Sequence, residues 1–263
     1  MLEQTVNAED SIRKNYAQIA LGNAQSACCA GGCGCGDTPV DLVQTSIQLG
    51  YSESDLVGIP SGANMSLGCG NPTAIAQLQP GDVVLDLGSG GGFDCFLASR
   101  KVAAEGHVIG VDMTPEMVSK ARLNAIKGGY TNVEFRLGEI EHLPVADASV
   151  DVIISNCVIN MSPDKQQVFN EAYRVLRQGG KLAVSDVVAT AELPDEIKKD
   201  LAGLAGCYAG AETAEKIEQM LGQACFSHIS LQPMDNSREI LQSWQSGKRI
   251  EDYVASFKIE ATK

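Results

Sequence analysis

The sequence predicts an α/β fold: a mostly parallel sheet with helices on both faces, an antiparallel C-terminal strand and an N-terminal helical, cysteine-rich cap. Three observations predict it. Short apolar runs alternate with helical patterns of about 10–15 residues, the signature of strand–helix–strand units. A glycine-rich stretch, "GSGGG" (88–92), sits where the first apolar run gives way to a helical pattern. The chain has 263 residues, 44% of them hydrophobic and 5% aromatic, enough for one large domain with an aliphatic core.

The elements follow in order. Residues 4–21 read as a helix. Residues 22–38, "GNAQSACCAGGCGCGDT", have no periodicity and read as a flexible loop. Residues 39–50 read as a short helix begun at Thr38–Pro39. "DVVLDL" (82–87) is the first strand, and 94–103 a helix. "HVIGVD" (107–112) is the second strand. "TPEMVSKARLNAIKGG" (114–129) is a helix bounded by a Thr-Pro-Glu start and a Gly-Gly stop. "NVEFRL" and "VDVIIS" are strands three and four. A helix is expected over 163–178, ending at Gly179–Gly180, and "KLAVSDVV" is the fifth strand. "SHISLQ" and "YVASFKIEA" form the antiparallel C-terminal pair.

Charge narrows the function. Lys and Arg total 20 against 33 Asp and Glu, a net charge of −13. Such a surface argues against nucleic acid and anionic membranes. No apolar run reaches the ~18 residues of a membrane span, and the charged N-terminus shows no signal-peptide pattern, so a cytoplasmic protein is expected. Nine cysteines in that compartment point to thiol chemistry or to small buried hydrophobes rather than to a disulfide framework.

The glycine stretch carries the first functional signal. A dinucleotide fingerprint needs glycine at its sixth position, which here is Phe93. The spacing Gly88-x-Gly90-x-Gly92, with Asp86 two residues ahead, instead resembles motif I of class I S-adenosylmethionine-dependent methyltransferases, which have a Rossmann-like sheet. The second strand ends in Asp112, and a carboxylate can accept from both hydroxyls of a ribose. After strand three, "LGEIEHLP" resembles an adenine-binding loop, with Glu139 or the Ile140 backbone near the adenine amine. The resemblance also assigns Ser89, Met113 and Asn156 to the donor site.

Cys157 follows strand four, beside strand one at the topological switch point. Cys69 lies ahead of the sheet and Cys207 after strand five. "SLGCGNP", "GVDMTPEM", "SNCVINMSPDK" and "GCYAGA" are similar to the arsenite methyltransferases, over nearly the whole chain from Tyr51 onward. That resemblance implies an N-terminal cap (1–70) and a donor-binding domain (71–263). It implies that Cys69, Cys157 and Cys207 bind trivalent arsenic, with S-adenosylmethionine as methyl donor. It further implies that Cys28 or Cys29 supplies another thiol from a mobile loop. A thiol reductant, thioredoxin or glutathione, is expected as co-substrate. Soft thiolates suit trivalent arsenic, and a lone-pair nucleophile needs no base. None of His107, His142 and His228 falls where a base would stand. A quinone-type C-methyltransferase and a non-catalytic thiol protein that binds metalloid remain the alternatives. Cys95, Cys225 and Trp244 are expected to be packing residues. Cys225 takes a place where the family is expected to have glycine.

Overall fold

Seven strands build the sheet: β1 (Val83–Leu87), β2 (His107–Asp112), β3 (Val133–Leu137), β4 (Val150–Asn156), β5 (Leu176–Ala189), β6 (Ser227–Pro233) and β7 (Val254–Thr262). The computed structural model describes residues 2–23, 41–198, 200–244 and 249–263. Strand order is β3-β2-β1-β4-β5-β7-β6. The first five strands are parallel, and β7 runs antiparallel between β5 and β6. Residues 84–87 of β1 and 152–155 of β4 are buried, as both faces of a parallel sheet demand. Order reverses between β1 and β4, and this opens a crevice at their C-terminal ends.

Helices α1 (Leu2–Ala20), α2 (Leu42–Gln48), α3 (Glu53–Leu56) and α4 (Pro72–Ile75) precede the sheet. The predicted start at Thr38–Pro39 lies outside the described residues. Leu42 opens α2, and Asp41 caps it by accepting from the Val43 and Gln44 amides. Helix α5 (Phe93–Val102) follows β1, and α6 (Pro115–Gly128) follows β2. Pro115 opens α6 and Gly129, at φ 69°, closes it, although the Thr114 side chain makes no capping bond.

Helix α7 (Lys165–Val175) is shorter than the sequence pattern suggests. It ends before Leu176, whose ψ of 142° is already extended. Leu176 instead pairs with Val150 of β4 and is fully buried, so sheet pairing takes this residue from the helix. The expected stop, Gly179–Gly180, lies within β5, where the Gly179 amide donates to Lys263 and Gly180 accepts from it, both at 2.9 Å. Beyond β5 come α8 (Asp195–Lys198), α9 (Leu201–Ala205), α10 (Ala214–Gln223) and α11 (Ser237–Ser243).

Cys95 and Trp244 are buried as expected. Cys225 is not: its thiol is exposed, so the expectation of packing is corrected. Its φ of 72° explains the departure, because a turn that suits glycine turns the side chain outward here. No helix among the described residues is long and apolar enough to cross a membrane.

Candidate active site

A cleft of about 1250 Å³, open mouth included, lies over the C-terminal ends of β1, β2 and β4. Its lining includes Asp86, Gly88, Ser89, Gly90, Asp112, Met113, Glu139, Ile140, Asn156 and Cys157. Helix α1 crosses its rim. Arg13 pairs with Glu139 at 3.2 Å, and the Tyr16 hydroxyl donates to the Ala205 carbonyl at 3.0 Å.

The donor end is built by turns that directly follow strands. Gly88 has φ 70°, and a Cβ there would collide with Val158, so this position needs glycine twice over. The Gly90 amide donates to Asp112 Oδ2 at 2.9 Å, and the Thr114 amide to Oδ1 at 2.8 Å. Burial raises the Asp112 carboxyl, and these two N–H groups oppose the shift. The Thr114 side chain adds a further bond to this carboxylate. Asp86 accepts from the Cys95 thiol at 3.1 Å. Burial, and next the charge of Asp94, push its carboxyl well up.

Two observations test whether this end fits the donor that the resemblance implies. Ser89 Oγ is buried without a partner among the described residues. A Cβ added at Gly90 would meet only Met65 Cε, at 3.6 Å, so the loop leaves space beside its backbone. A buried hydroxyl in want of a partner, an oriented carboxylate and room against a glycine backbone suit a polar, ribose-bearing ligand.

The thiol end draws on distant segments. Cys69, Cys157 and Cys207 are 0%, 2% and 2% exposed. Cys157 directly follows β4, and its amide donates to the Ser185 carbonyl at 2.8 Å. The Cys207 thiol donates to the Cys157 carbonyl. Sulfur of Cys69, sulfur of Cys157 and a carboxylate oxygen of Asp186 lie within 4.8 Å of one another. Burial, then the Cys207 and Cys69 thiols, push the Cys157 thiol well above its ordinary value. The bond with Cys157 pulls Cys207 down, yet burial and the charges of Asp186 and Cys69 together outweigh it, and the net shift is upward. Cys157 and Cys207 sit at φ 60° and 69°, a left-handed backbone that costs a non-glycine residue about 1–3 kcal/mol. Such outliers persist where surrounding structure forces them, which often marks a working site.

Asn156 ties the two ends together. Its Oδ1 accepts from the Cys69 amide at 3.0 Å. Its Nδ2 donates to the Gly70 carbonyl at 2.8 Å, to the Tyr51 hydroxyl at 3.0 Å and to Asp94 Oδ2 at 3.2 Å. Tyr51 in turn donates to Asp94 Oδ1 at 2.7 Å. Burial raises Asp94 to about 6 against these bonds.

The structure thus brings together Cys69, Cys157 and Cys207, and sets the predicted donor residues on one wall. Glu139 differs in detail: its side chain is 52% exposed and committed to Arg13. Cys28 and Cys29 lie outside the described residues. Sequence reasoning missed Tyr51, Asp94, Ser185 and Asp186. Asp94 and Asp186 had a signal, since each is a lone carboxylate inside an apolar run. Tyr51 had none.

Comparison with known proteins bears on the family and the fold. Residues 78–225, more than half of the chain, match the family model of a methyltransferase domain. An arsenite methyltransferase of Halobacterium salinarum is 49% identical over 97% of this chain and 66% of its own length. One from Aquipseudomonas alcaligenes is 48% identical over 55% of this chain and 43% of its own length. The chain therefore spans just under two thirds of the first relative and less than half of the second. The crystal structure of an arsenic(III) S-adenosylmethionine methyltransferase from Chlamydomonas reinhardtii superposes with a TM-score of 0.59 at 31% identity. That match covers 86% of this chain and 74% of the other.

Proposed function

The chain belongs to the arsenite methyltransferase family, and from that premise we propose that it transfers methyl groups from S-adenosylmethionine to trivalent arsenic held by its thiols. The observation that carries the reading is that Cys157, which lines a cleft also lined by Asp112 and the glycine loop, is packed with the buried Cys69 and Cys207.

Bound, S-adenosylmethionine supplies a methyl group on a sulfonium, an electrophile matched to a soft lone pair. Asp112, held by the Gly90 and Thr114 amides, receives the ribose hydroxyls without having to reorient. Gly88, Ser89 and Gly90 would flank the donor, and Met113, Glu139 and Ile140 would line its adenine side. Cys69, Cys157 and Cys207 hold the arsenic. Arsenous acid is neutral, and the upward shifts of the Cys157 and Cys207 thiols favour their neutral form. Three As–O bonds break, three As–S bonds form, and each thiol proton leaves with a hydroxyl as water. No charge is stranded in the pocket, which fits its burial. The lone pair on arsenic bears no proton, so the site needs no general base.

Methylation raises arsenic formally from the trivalent to the pentavalent state. Two thiols return two electrons by forming a disulfide, and a thioredoxin-like or glutathione reductant reopens it. Cys69 with Cys28 or Cys29 is the pair we assign to that step. Residues 1–70 act as a cap on this site, and the reaction belongs to arsenic detoxification in the cytoplasm.

The test is to incubate the protein with arsenite, S-adenosylmethionine and a thiol reductant, then speciate the arsenic. Methylated arsenicals should accumulate with one S-adenosylhomocysteine formed per methyl. Arsenic bound but never methylated by well-folded protein would overturn the enzymatic reading in favour of a binding protein.

A further inference from the structure

Asp186 has no part in the arsenic chemistry above, yet it stands among the thiols. It is 3% exposed, near the C-terminal end of β5. Its Oδ1 accepts from Asn160 Nδ2 at 3.0 Å and from the Val187 amide at 2.8 Å. Its Oδ2 accepts from the Ile159 amide at 3.0 Å, and the Asn160 backbone also bonds the carboxylate. A donor atom of Asp186 lies within 4.8 Å of the sulfurs of both Cys69 and Cys157.

Trivalent arsenic makes three bonds and keeps a lone pair, so three thiols complete its shell. A divalent thiophilic cation has no such lone pair and takes four donors, readily mixing sulfur with a carboxylate. Ligand atoms around such an ion stand roughly 3.5–3.8 Å apart, given metal–ligand bonds of about 2.0–2.3 Å. Donors already within 4.8 Å need only a small closure to meet that spacing.

We propose that Cys69, Cys157 and Asp186 form a binding site for a divalent cation of the zinc and cadmium class, and that the cation competes there with trivalent arsenic. The donors are held in place from behind. The N–H groups above fix Asp186, and the Ser185 carbonyl holds the Cys157 amide. Asn156 holds the Cys69 amide at 3.0 Å, and the Ser256 hydroxyl donates to the Cys69 carbonyl at 2.6 Å. Such supporting contacts orient ligands before an ion arrives. Entry is by the cleft, which Cys157 lines. Binding converts two thiols to thiolates and releases two protons per ion. With the carboxylate, these leave one net negative charge. A water molecule would complete the fourth position. The site stands on its own donor set, whether or not arsenic is methylated.

The experiment is a reciprocal pair of variants. It uses the full-length chain, reduced and kept anaerobic, with Cys28, Cys29, Cys33, Cys35 and Cys225 replaced by Ser. Cadmium binding is followed by thiolate-to-metal charge-transfer absorption, and phenylarsine oxide binding by calorimetry. One cadmium should bind per chain, and phenylarsine oxide should displace it. Asp186→Asn should weaken cadmium by about tenfold or more, yet move phenylarsine oxide by less than about threefold. Cys207→Ser should do the reverse, because the arsenical needs that thiol and the cation does not. Cadmium retained by Asp186→Asn but lost in Cys207→Ser would overturn the proposal, since the ion would then sit on thiols alone. Should Asp186→Asn fail to fold, the Cys207→Ser arm still decides, as loss of cadmium there refutes the donor set. If wild-type thiols bind cadmium but ignore phenylarsine oxide, the cation site is supported and the arsenic reading fails.

Discussion

The two ends of the cleft are made in opposite ways. At the donor end, Asp86, Gly88, Ser89, Gly90, Asp112 and Glu139 all come from the C-terminal ends of, or the turns after, three strands that neighbour one another in the sheet. Backbone amides and oriented carboxylates do the holding, and the wall opens to solvent at Glu139. At the thiol end, Cys69, Cys157 and Cys207 arrive from three remote segments and are almost fully buried. Two of them sit on strained, left-handed backbone. The lesson concerns where specificity is stored. The donor end needs only the strand order, whereas the thiol end needs Asn156, Ser185 and Ser256 to grip particular peptides.

Replacing a thiol should break that contrast most severely. Cys157→Ser puts a hard, protonated oxygen where a soft ligand belongs. Methylation of arsenite and of monomethylarsenite should fall by roughly a hundredfold or more. Donor affinity measured by calorimetry should hold. Full turnover in this variant would make Cys157 a packing residue at a strand end.

The opposite cut is Asp112→Ala, which removes a charged acceptor worth about 1.5–3 kcal/mol. The donor should bind about ten- to a hundredfold more weakly, while titration with phenylarsine oxide is unchanged. Equal weakening of both ligands would mean that the two ends are not separable.

A finer division lies within the thiols. Monomethylarsenite has carbon in place of one sulfur and needs two thiols from the protein. Cys69→Ser should therefore lose about tenfold or more on arsenite and keep most of its rate on monomethylarsenite. Parallel loss on both substrates, in side-by-side rate measurements, would remove Cys69 from the role of third ligand.

The joint between the ends is testable by packing. A Cβ at Gly68 would lie 2.5 Å from Asn156 Nδ2 and 2.7 Å from its Oδ1. Gly68→Ala should displace Asn156, cost about 1–3 kcal/mol in denaturant unfolding, and weaken both ligands together. Loss at one end alone would show that Asn156 does not couple them.

The smallest effect is a pH dependence. Burial raises the Asp94 carboxyl from 3.8 to about 6, so the folded state prefers it protonated. The stability linked to this group is full below about pH 4 and is lost as pH rises through about 6, a fall of about 1–3 kcal/mol. Asp94→Asn cannot ionise and should lack this fall. Urea midpoints at pH 4.5 and 7.5 would reveal it, and equal pH dependence in variant and wild type would argue that Asp94 is not the group responsible.

The sequence by itself determined what depends on local pattern. Apolar runs spaced by helical patterns yield the strands and helices, because hydrophobic periodicity and glycine punctuation act within a few residues. The glycine loop, Asp112 and the place of Cys157 after β4 follow from that order alone. Tertiary structure decided the rest, because the deciding contacts join residues far apart in the chain. Leu176 left its helix to pair with Val150, and Cys225 turned outward on a backbone suited to glycine. Tyr51 and Asp94 became partners of Asn156 only once the segment before the sheet had packed against it. Asp186 reads as a stray charge in an apolar strand until the folded chain brings it beside two sulfurs that lie 117 and 29 residues earlier in the sequence.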